Sequence, residues 1–272
     1  MKLVRRIVIG VVALGIVLYA GALAVLYFGQ RTFQYFPSGP VLSLADTTLT
    51  GAAAVAIPTA DNAVVNGWYE APKPGHPLIV YYHGNAENFT KEHERYEAMA
   101  ADGFGFLAFD YRGFPASPGA ITQDHVLADA LAAFDWAKAK GFPTVIWGRS
   151  LGSGPATYTA SQRPADALLL ETPFDSALAV ARDRYPIFPV GLLMQDQYPV
   201  DQWIGKVTAP VFVAHGTADN TIAEYHGQRV YDLAPNKGGI WIVPGADHDD
   251  LWADGVWAKA QAFFAGVEAG KQ

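Results

Sequence analysis

Apolar and polar positions alternate in blocks along most of the chain, and these blocks predict the elements of the fold. Short, nearly all-apolar runs rich in Val, Ile, Leu and aromatic residues recur at Leu78–Tyr82, Gly105–Phe109, Thr144–Trp147, Ala167–Leu170, Val211–Ala214 and Ile240–Val243. Continuous apolar runs of this length are typical of strands buried on both faces, as in a parallel sheet. Two earlier runs, Ala54–Pro58 and Val64–Tyr69, flank Asp61-Asn62 and predict an antiparallel hairpin.

Segments of helical length separate these runs, at residues 89–101, 124–140, 151–162 and 249–266. In the second segment, apolar side chains between Leu127 and Phe134 recur at helical spacing, and Gly141 is a typical stop signal. Strands that alternate with helices predict an α/β fold with a mainly parallel, doubly wound sheet and flanking helices. Residues 37–272 suit one such domain.

Residues 176–208 do not follow this alternation. The segment is rich in proline and aromatic residues, among them Tyr185, Pro186, Phe188, Pro189, Tyr198, Pro199 and Trp203. Such a connection either bridges two strands or covers a pocket, and long connections in compact domains are often functional. We expect a short insertion that acts as a lid.

The amino-terminal segment is apolar in a different way. Ile7–Phe28 contains 22 consecutive residues without a charge. A helix of this length would reach about 33 Å, enough to cross a hydrocarbon core of about 30 Å. Lys2, Arg5 and Arg6 precede the run, so the positive-inside rule predicts a cytoplasmic amino terminus and export of the remaining chain. In a bacterium the folded domain would be periplasmic.

A cleaved signal peptide is the alternative explanation, since the small residues of Ala20–Ala24 resemble a cleavage site. The apolar core of a signal peptide usually spans about 7–15 residues, however, and this run is longer. We therefore predict that residues 1–36 form an uncleaved signal anchor and a linker.

Composition and charge exclude several classes of function. The chain contains no cysteine, which rules out a thiol nucleophile, disulfides and cysteine-ligated metals. Residues 1–28 hold three basic and no acidic residues, so residues 29–272 carry 16 basic and 26 acidic side chains, a formal net charge of −10. A domain this acidic, without a basic cluster, is not expected to bind nucleic acid.

One motif in the chain carries chemistry. The strand predicted at Thr144–Trp147 continues into Gly148-Arg149-Ser150-Leu151-Gly152 and then into a predicted helix. This is G-x-S-x-G in the strand–turn–helix setting in which it carries a nucleophilic serine. The serine occupies a tight turn that raises its hydroxyl above the sheet, and the glycines let strand and helix approach closely. We predict Ser150 as the nucleophile rather than as part of a glycine-rich turn.

A serine hydroxyl needs a general base, and a carboxylate must orient that base. With this motif the expected chain order is serine, acid, histidine. His226 falls in a predicted surface helix, whereas His248 falls in the loop after the last apolar strand, where it can reach the carboxyl ends of the strands. We predict His248 as the base; the alternative is a histidine that only caps the last helix.

The acid is expected at the carboxyl end of another strand. Asp219 follows the strand Val211–Ala214 within His215-Gly216-Thr217-Ala218-Asp219. Glu171 and Asp175, at and after the end of the strand Ala167–Leu170, are the alternatives. We predict Asp219.

The oxyanion hole is expected from two backbone N–H groups. One belongs to Leu151, directly after the serine, and the other to Asn85, in the loop after the strand Leu78–Tyr82. Two nearby residues are expected to be structural: His83 in the same loop, and Arg112, which we expect to tie loops together.

These motifs together resemble the α/β-hydrolase superfamily of serine hydrolases. The segments His83-Gly84-Asn85, Asp110–Phe114, Gly148–Gly152, His215–Asp219 and Gly245–His248 match in order. Within the superfamily, the anchor followed by Gln34-Tyr35-Phe36-Pro37 looks like the membrane-anchored group with serine-aminopeptidase-like domains, which includes abhydrolase-domain depalmitoylases. The resemblance implies an α/β-hydrolase fold, with Ser150, Asp219 and His248 as catalytic residues.

Depalmitoylases of the group have amino-terminal cysteines for their own lipidation. This chain has none, which argues against a cytoplasmic depalmitoylase.

The predicted reaction is acyl transfer to water, which requires neither a metal nor an organic cofactor. We expect a small-molecule or lipid-like acyl substrate, because the anchor and the apolar lid favour an esterase or lipase-like enzyme near a membrane. A serine peptidase or amidase is the first alternative, for which Glu171, Asp175 and Asp183 are available to hold a substrate amine. A non-catalytic binding protein is the second.

Overall fold

The computed structural model describes residues 1–269. Its strands are β1 (Phe36–Pro37), β2 (Ala53–Pro58), β3 (Val64–Glu70), β4 (Leu78–Tyr82), β5 (Ala86–Glu87), β6 (Gly105–Phe109), β7 (Thr144–Arg149), β8 (Leu168–Glu171), β9 (Val211–Gly216) and β10 (Lys237–Val243). Its α-helices are α1 (Lys2–Gln34), α2 (His93–Ala101), α3 (Gln123–Lys138), α4 (Ser153–Gln162), α5 (Ala177–Arg184), α6 (Val190–Leu193), α7 (Val200–Trp203), α8 (Glu224–Leu233) and α9 (Val256–Ala269).

Within this range, eight strands form one sheet in the order β10-β9-β8-β7-β4-β6-β3-β2. The six strands from β10 to β6 run parallel, while β3 pairs antiparallel with β6 and β2 antiparallel with β3. The predicted mainly parallel α/β fold and the early hairpin are therefore confirmed.

The strand sequences explain why helices cover both faces of the sheet. In β4, Leu78, Val80 and Tyr82 face one core and Ile79 and Tyr81 face the other, and all five are buried. The first core includes side chains of α3, α4 and α8, and the second includes side chains of α2 and α9. Alternate strand residues point to opposite faces, so an all-apolar strand needs a helical layer on each side.

One strand is less buried than its apolar sequence predicts. Ile240–Val243 lies in β10, the edge strand of the sheet, and its side chains are only partly buried. An edge strand has a neighbour on one side only, which a local apolar pattern does not reveal.

Helix α1 is longer than the apolar run that predicts it. It begins at Lys2 and ends at Gln34, and none of its residues is buried. By length and composition it is able to cross a membrane. Beyond it, Tyr35 is buried, and the short strand β1 pairs in parallel with β5 in the loop after β4.

Candidate active site

Ser150 lies at a sharp turn between β7 and α4. Strand β7 ends at Arg149, and Ser150–Gly152 forms a short 3-10 turn before α4 begins at Ser153. Ser150 has a backbone φ of 52°, in the left-handed region that is unfavourable for a residue with a side chain. Such strain is common where a reactive group must project from a tight turn.

The two motif glycines are required by close contacts. A Cβ atom on Gly148 would lie 2.5 Å from the Cβ atom of Ala156 in α4. A Cβ atom on Gly152 would lie 1.9 Å from the carbonyl oxygen of Tyr82, at the end of the neighbouring strand β4. Only glycine therefore allows the turn to fit between β4 and α4.

The structure brings the three predicted catalytic residues together. Nε2 of His248 lies 2.9 Å from Oγ of Ser150, and Nδ1 of His248 lies 2.7 Å from Oδ2 of Asp219. The carboxylate accepts a hydrogen bond, so Nδ1 carries the proton in the neutral ring. Nε2 is then free to accept the hydrogen bond that the Ser150 hydroxyl donates.

Asp219 is held in its ionised form. Burial alone would raise the pKa of its carboxyl group. Hydrogen bonds from His215 and His248, together with the backbone N–H of Ile222, outweigh burial and hold that pKa well below its usual range. Oδ1 also accepts from the backbone N–H of Thr221, at 2.9 Å. The carboxylate is thus fixed in position and charge.

His215 is a neighbour of the site that the sequence analysis did not assign. Its Nε2 lies 2.9 Å from the carbonyl oxygen of Ile222 and 3.2 Å from Oδ2 of Asp219. Its position at the end of β9, four residues before Asp219, is a signal from which it could have been found.

The alternative acids are engaged elsewhere. Arg95 donates two hydrogen bonds to Glu171, at 2.8 and 2.9 Å. Asp175 lies 2.8 Å from Nδ1 of His226 and also pairs with Arg229. His226 lies in α8, which is a surface helix with exposed residues such as Tyr225, but its own side chain is buried, because that face of α8 packs on the loop that carries Asp175.

The two expected oxyanion donors lie beside Ser150. Leu151 follows it at the start of the 3-10 turn, and both Leu151 and Asn85 line one cavity with it. The Asn85 backbone is held in place by the N–H of Phe36, which donates to its carbonyl oxygen at 2.8 Å. The Asn85 side chain donates to the carbonyl oxygen of Gln34, at 2.9 Å. Donation to a substrate oxyanion stays a prediction.

Arg112 and His83, which were expected to be structural, both contact carboxylates outside the catalytic triad. Arg112 binds Asp129 and Asp61 and so joins three segments of the chain. His83 is buried 3.4 Å from a carboxylate oxygen of Asp110, and burial lowers the pKa of its imidazole.

Two cavities meet at Ser150. An apolar cavity of about 470 Å³ lies between α1, α5 and α6, and a polar cavity of about 490 Å³ lies against α2 and the His248 loop. Asn85, Ser150 and Thr221 line both. Among residues 1–269, no group of three or more His, Asp or Glu side chains is arranged to hold a metal ion.

Known proteins share this sequence pattern. The family described as "Serine aminopeptidase, S33" matches residues 73–181. The chain is 34% identical over 257 residues to the uncharacterized protein Rv2307c of Mycobacterium tuberculosis, covering 92% of this chain and 91% of the relative. It is 33% identical to human protein ABHD12B over 68% of this chain, and 32% identical to the rat lysophosphatidylserine lipase ABHD12 over 61%. It spans 59% and 48% of the length of those two relatives.

Solved structures share the fold. The Pyrococcus furiosus esterase Pf2001 superposes with a TM-score of 0.68 at 20% identity, over 85% of this chain and 97% of the esterase. The acetyl xylan esterase from Paenibacillus sp. R4 superposes with a TM-score of 0.65 at 18% identity, over 90% of this chain and 93% of that one.

Proposed function

The chain belongs to the α/β-hydrolase superfamily and is a hydrolase, and we propose that it is a membrane-anchored serine hydrolase of acyl esters or thioesters. One observation carries the proposal: Ser150, His248 and Asp219 form a continuous hydrogen-bonded chain, with distances of 2.9 and 2.7 Å. This is the geometry in which a histidine activates a serine and a carboxylate orients the histidine.

Acylation begins when Nε2 of His248 takes the proton of the Ser150 hydroxyl as Oγ attacks the substrate carbonyl carbon. The carbonyl oxygen becomes an oxyanion, which the backbone N–H groups of Leu151 and Asn85 stabilise. The loss of one such donor typically costs about 3 kcal/mol of transition-state stabilisation. The His248 imidazolium then protonates the leaving alcohol or thiol, and the acyl group stays on Oγ.

Deacylation repeats these steps with water as the nucleophile. His248 takes a proton from water, the hydroxide adds to the acyl carbon, and Oγ leaves with the proton that His248 returns. Asp219 stays ionised throughout and stabilises the imidazolium. Its lowered pKa suits that role, because it keeps the carboxyl charged.

The cavities favour an acyl ester over a peptide. The apolar cavity beside Ser150 suits an acyl chain, and the polar cavity on its other side suits the leaving group. Two of the acidic side chains considered as anchors for a substrate amine already have partners, Glu171 in Arg95 and Asp175 in His226 and Arg229. The similarity to a lysophosphatidylserine lipase also supports a lipid-like substrate.

Helix α1 supports the membrane location. Its residues Ile7–Leu18 are uncharged and all exposed, a surface that water disfavours and a bilayer accommodates. The basic residues before the run favour a cytoplasmic amino terminus and an extracytoplasmic catalytic domain over residues 37–272, with a lid in residues 176–208.

Labelling with a fluorophosphonate tests the nucleophile. We expect the probe to label the wild-type protein and not Ser150→Ala. Ser161→Ala is the matched control, since that serine lies near the end of α4, where its hydroxyl donates to the carbonyl oxygen of Tyr158 and accepts from the side chain of Gln162. Labelling of Ser150→Ala at the wild-type rate would refute the assignment.

A substrate panel tests the class of bond. We expect hydrolysis of p-nitrophenyl esters, with a preference for chains long enough to fill the apolar cavity, and little hydrolysis of aminoacyl nitroanilides. The family description as a serine aminopeptidase is the observation that favours a peptidase. Activity confined to the anilides would establish that alternative instead.

A further inference from the structure

The lid contacts helix α1 at Tyr19 and at Gln30. We define the lid tip as residues 185–195, an uncharged segment between Arg184 and Asp196. The hydroxyl of Tyr19 donates to the carbonyl oxygen of Ile187 at 3.0 Å, and the rings of Tyr19 and Phe188 stack with centroids 5.8 Å apart. Closer to the end of α1, the side-chain amide of Gln30 donates to the carbonyl oxygen of Leu193 at 3.1 Å.

These contacts fix the depth of the lid tip relative to the apolar run. Tyr19 precedes Phe28 by nine residues, so it lies about 14 Å along the helix axis from the end of that run. Half of a hydrocarbon core of about 30 Å is about 15 Å. If Ile7–Phe28 crosses the bilayer, Ile187 and Phe188 lie within the leaflet on the catalytic side.

The side chains of the lid tip suit that environment. Ile187 is 75% exposed and Leu192 is 87% exposed, and Phe28 of α1 is 84% exposed. In water these large apolar side chains would form an unfavourable patch next to the helix. Inside a leaflet the same exposure costs nothing, because lipid chains replace water around them.

Several backbone polar groups of the lid tip are already paired, which matters in a medium without water, where an unpaired polar group is unfavourable. Pro186 and Pro189 have no N–H to satisfy. The N–H groups of Phe188, Val190, Leu192 and Met194 donate within the lid tip. Helix α1 supplies a side-chain acceptor as well: Oε1 of Gln30 accepts from the N–H of Gln195 at 2.6 Å. Two polar side chains of α1, Tyr19 and Gln30, thus form hydrogen bonds with backbone groups of the lid tip.

The same two segments form one wall of the apolar cavity. Leu26 and Phe33 of α1 and Val190, Leu193 and Met194 of the lid tip line it together with Ser150. Its wall on that side would therefore separate the nucleophile from lipid rather than from water.

We propose that the lid tip inserts into the leaflet on the catalytic side, and that the apolar cavity receives its acyl chain directly from that leaflet. The exposed apolar side chains of the lid tip are thus in contact with lipid chains of the bilayer. This inference rests on the proposed function, namely on an anchored α1 and on Ser150 as the nucleophile.

Depth-dependent fluorescence quenching tests the insertion. Because the chain contains no cysteine, Leu192→Cys creates a single site for an environment-sensitive fluorophore. Gln162→Cys is the control, since Gln162 is exposed at the end of α4 remote from Ser150. In phosphatidylcholine vesicles that hold the full chain, we expect lipid-bound nitroxides on the acyl chain to quench the label at 192 and aqueous iodide to quench the label at 162.

A charge in the lid tip tests its role in substrate entry. We expect Leu192→Glu to lower hydrolysis of a long-chain ester embedded in the vesicles by about tenfold or more, because a carboxylate is disfavoured in hydrocarbon. Hydrolysis of a soluble short-chain ester should stay at the wild-type rate. Leu233→Glu is the matched control, because Leu233 is an exposed leucine on α8, and it should change neither rate.

The outcomes separate the two proposals. Iodide quenching at 192 equal to that at 162, or an equal loss of both activities in Leu192→Glu, would overturn the insertion even if the fluorophosphonate still labels Ser150. A wild-type protein that resists the fluorophosphonate would overturn the proposed function, whatever depth the label at 192 reports.

Discussion

Asp219 determines how His248 is able to act, because it fixes both the orientation of the ring and the nitrogen that carries the proton. Its other oxygen is tied to backbone N–H groups of Thr221 and Ile222, so the carboxylate cannot turn away. An amide at this position would keep the shape but would favour the wrong tautomer of His248.

We therefore expect Asp219→Asn to lower kcat for a p-nitrophenyl ester by about 10³–10⁴-fold. Asp175→Asn is the control, since Asp175 pairs with His226 and not with His248. That variant should keep kcat within a few-fold of wild type in detergent at a temperature at which it is folded. Steady-state kinetics on both variants make the comparison, and the reverse ranking would assign the acid to Asp175.

The site residues were predictable because their signal is local. The glycines around Ser150 and the positions of Asp219 and His248 after apolar runs are visible in the chain itself. The burial of His226 was not, since it depends on Asp175, 51 positions away in sequence. Polar neighbours such as Glu224 predict an exposed position for His226. The side chain is buried because Asp175, on another loop, contacts that face of α8.

At the scale of elements, the turn at Ser150 is the tightest fit in the site. Gly152 packs against the last residue of β4, so strand, turn and helix share one narrow space. A methyl group there has no room unless β4 or α4 moves, and both are parts of the core.

We expect Gly152→Ala to be strongly destabilising, by several kcal/mol, because overpacking at rigid backbone cannot relax. Gly266→Ala is the matched control: Gly266 lies in α9, where, among the described residues outside the helix's own backbone, no atom comes within 4 Å of the added Cβ. The substitution should be neutral or slightly stabilising. Thermal unfolding in detergent compares the two, and a Gly152→Ala protein as stable as Gly266→Ala would contradict this account of the motif.

Elements with a strong period were predictable, and those that depend on distant contacts were not. The central strands and α3 follow from their apolar spacing. The short helices α5, α6 and α7 in residues 176–208 were not predictable, since each has only four to eight residues. Their positions depend on contacts with other elements: α5 packs on α6, α6 on α1, and α7 on α4 and α8. The partial exposure of β10 likewise depends on its place at the sheet edge.

For the molecule as a whole, buried His83 links stability to pH. Its pKa in the folded state lies below the ordinary value of about 6.5, because burial disfavours the charged ring. As pH falls through about 6.5, the unfolded chain binds a proton at this position and the folded chain does not. The free energy of unfolding therefore decreases as pH falls from about 6.5 toward the folded-state pKa, and this contribution is fully present above that window.

We expect His83→Gln to lose this part of the pH dependence, which is at most about 1.4 kcal/mol per pH unit. Denaturant unfolding of both proteins in detergent, at pH values on either side of 6.5, measures it. His125→Gln is the comparison variant, because His125 is only partly buried, at the start of α3. Identical slopes for wild type and His83→Gln would contradict the prediction.

The pairing of β1 with β5 has a consequence for shedding of the enzyme from the membrane. Phe36 and Pro37 leave the helix and immediately brace the loop that carries Asn85, through the N–H of Phe36 and the carbonyl oxygen of Gln34. A protease that cut the chain between α1 and β1 would release the catalytic domain from the membrane. The same cut would loosen the loop that carries Asn85, the predicted oxyanion donor. We therefore expect a shed form to be inactive, so that attachment to the membrane and catalytic competence are lost together.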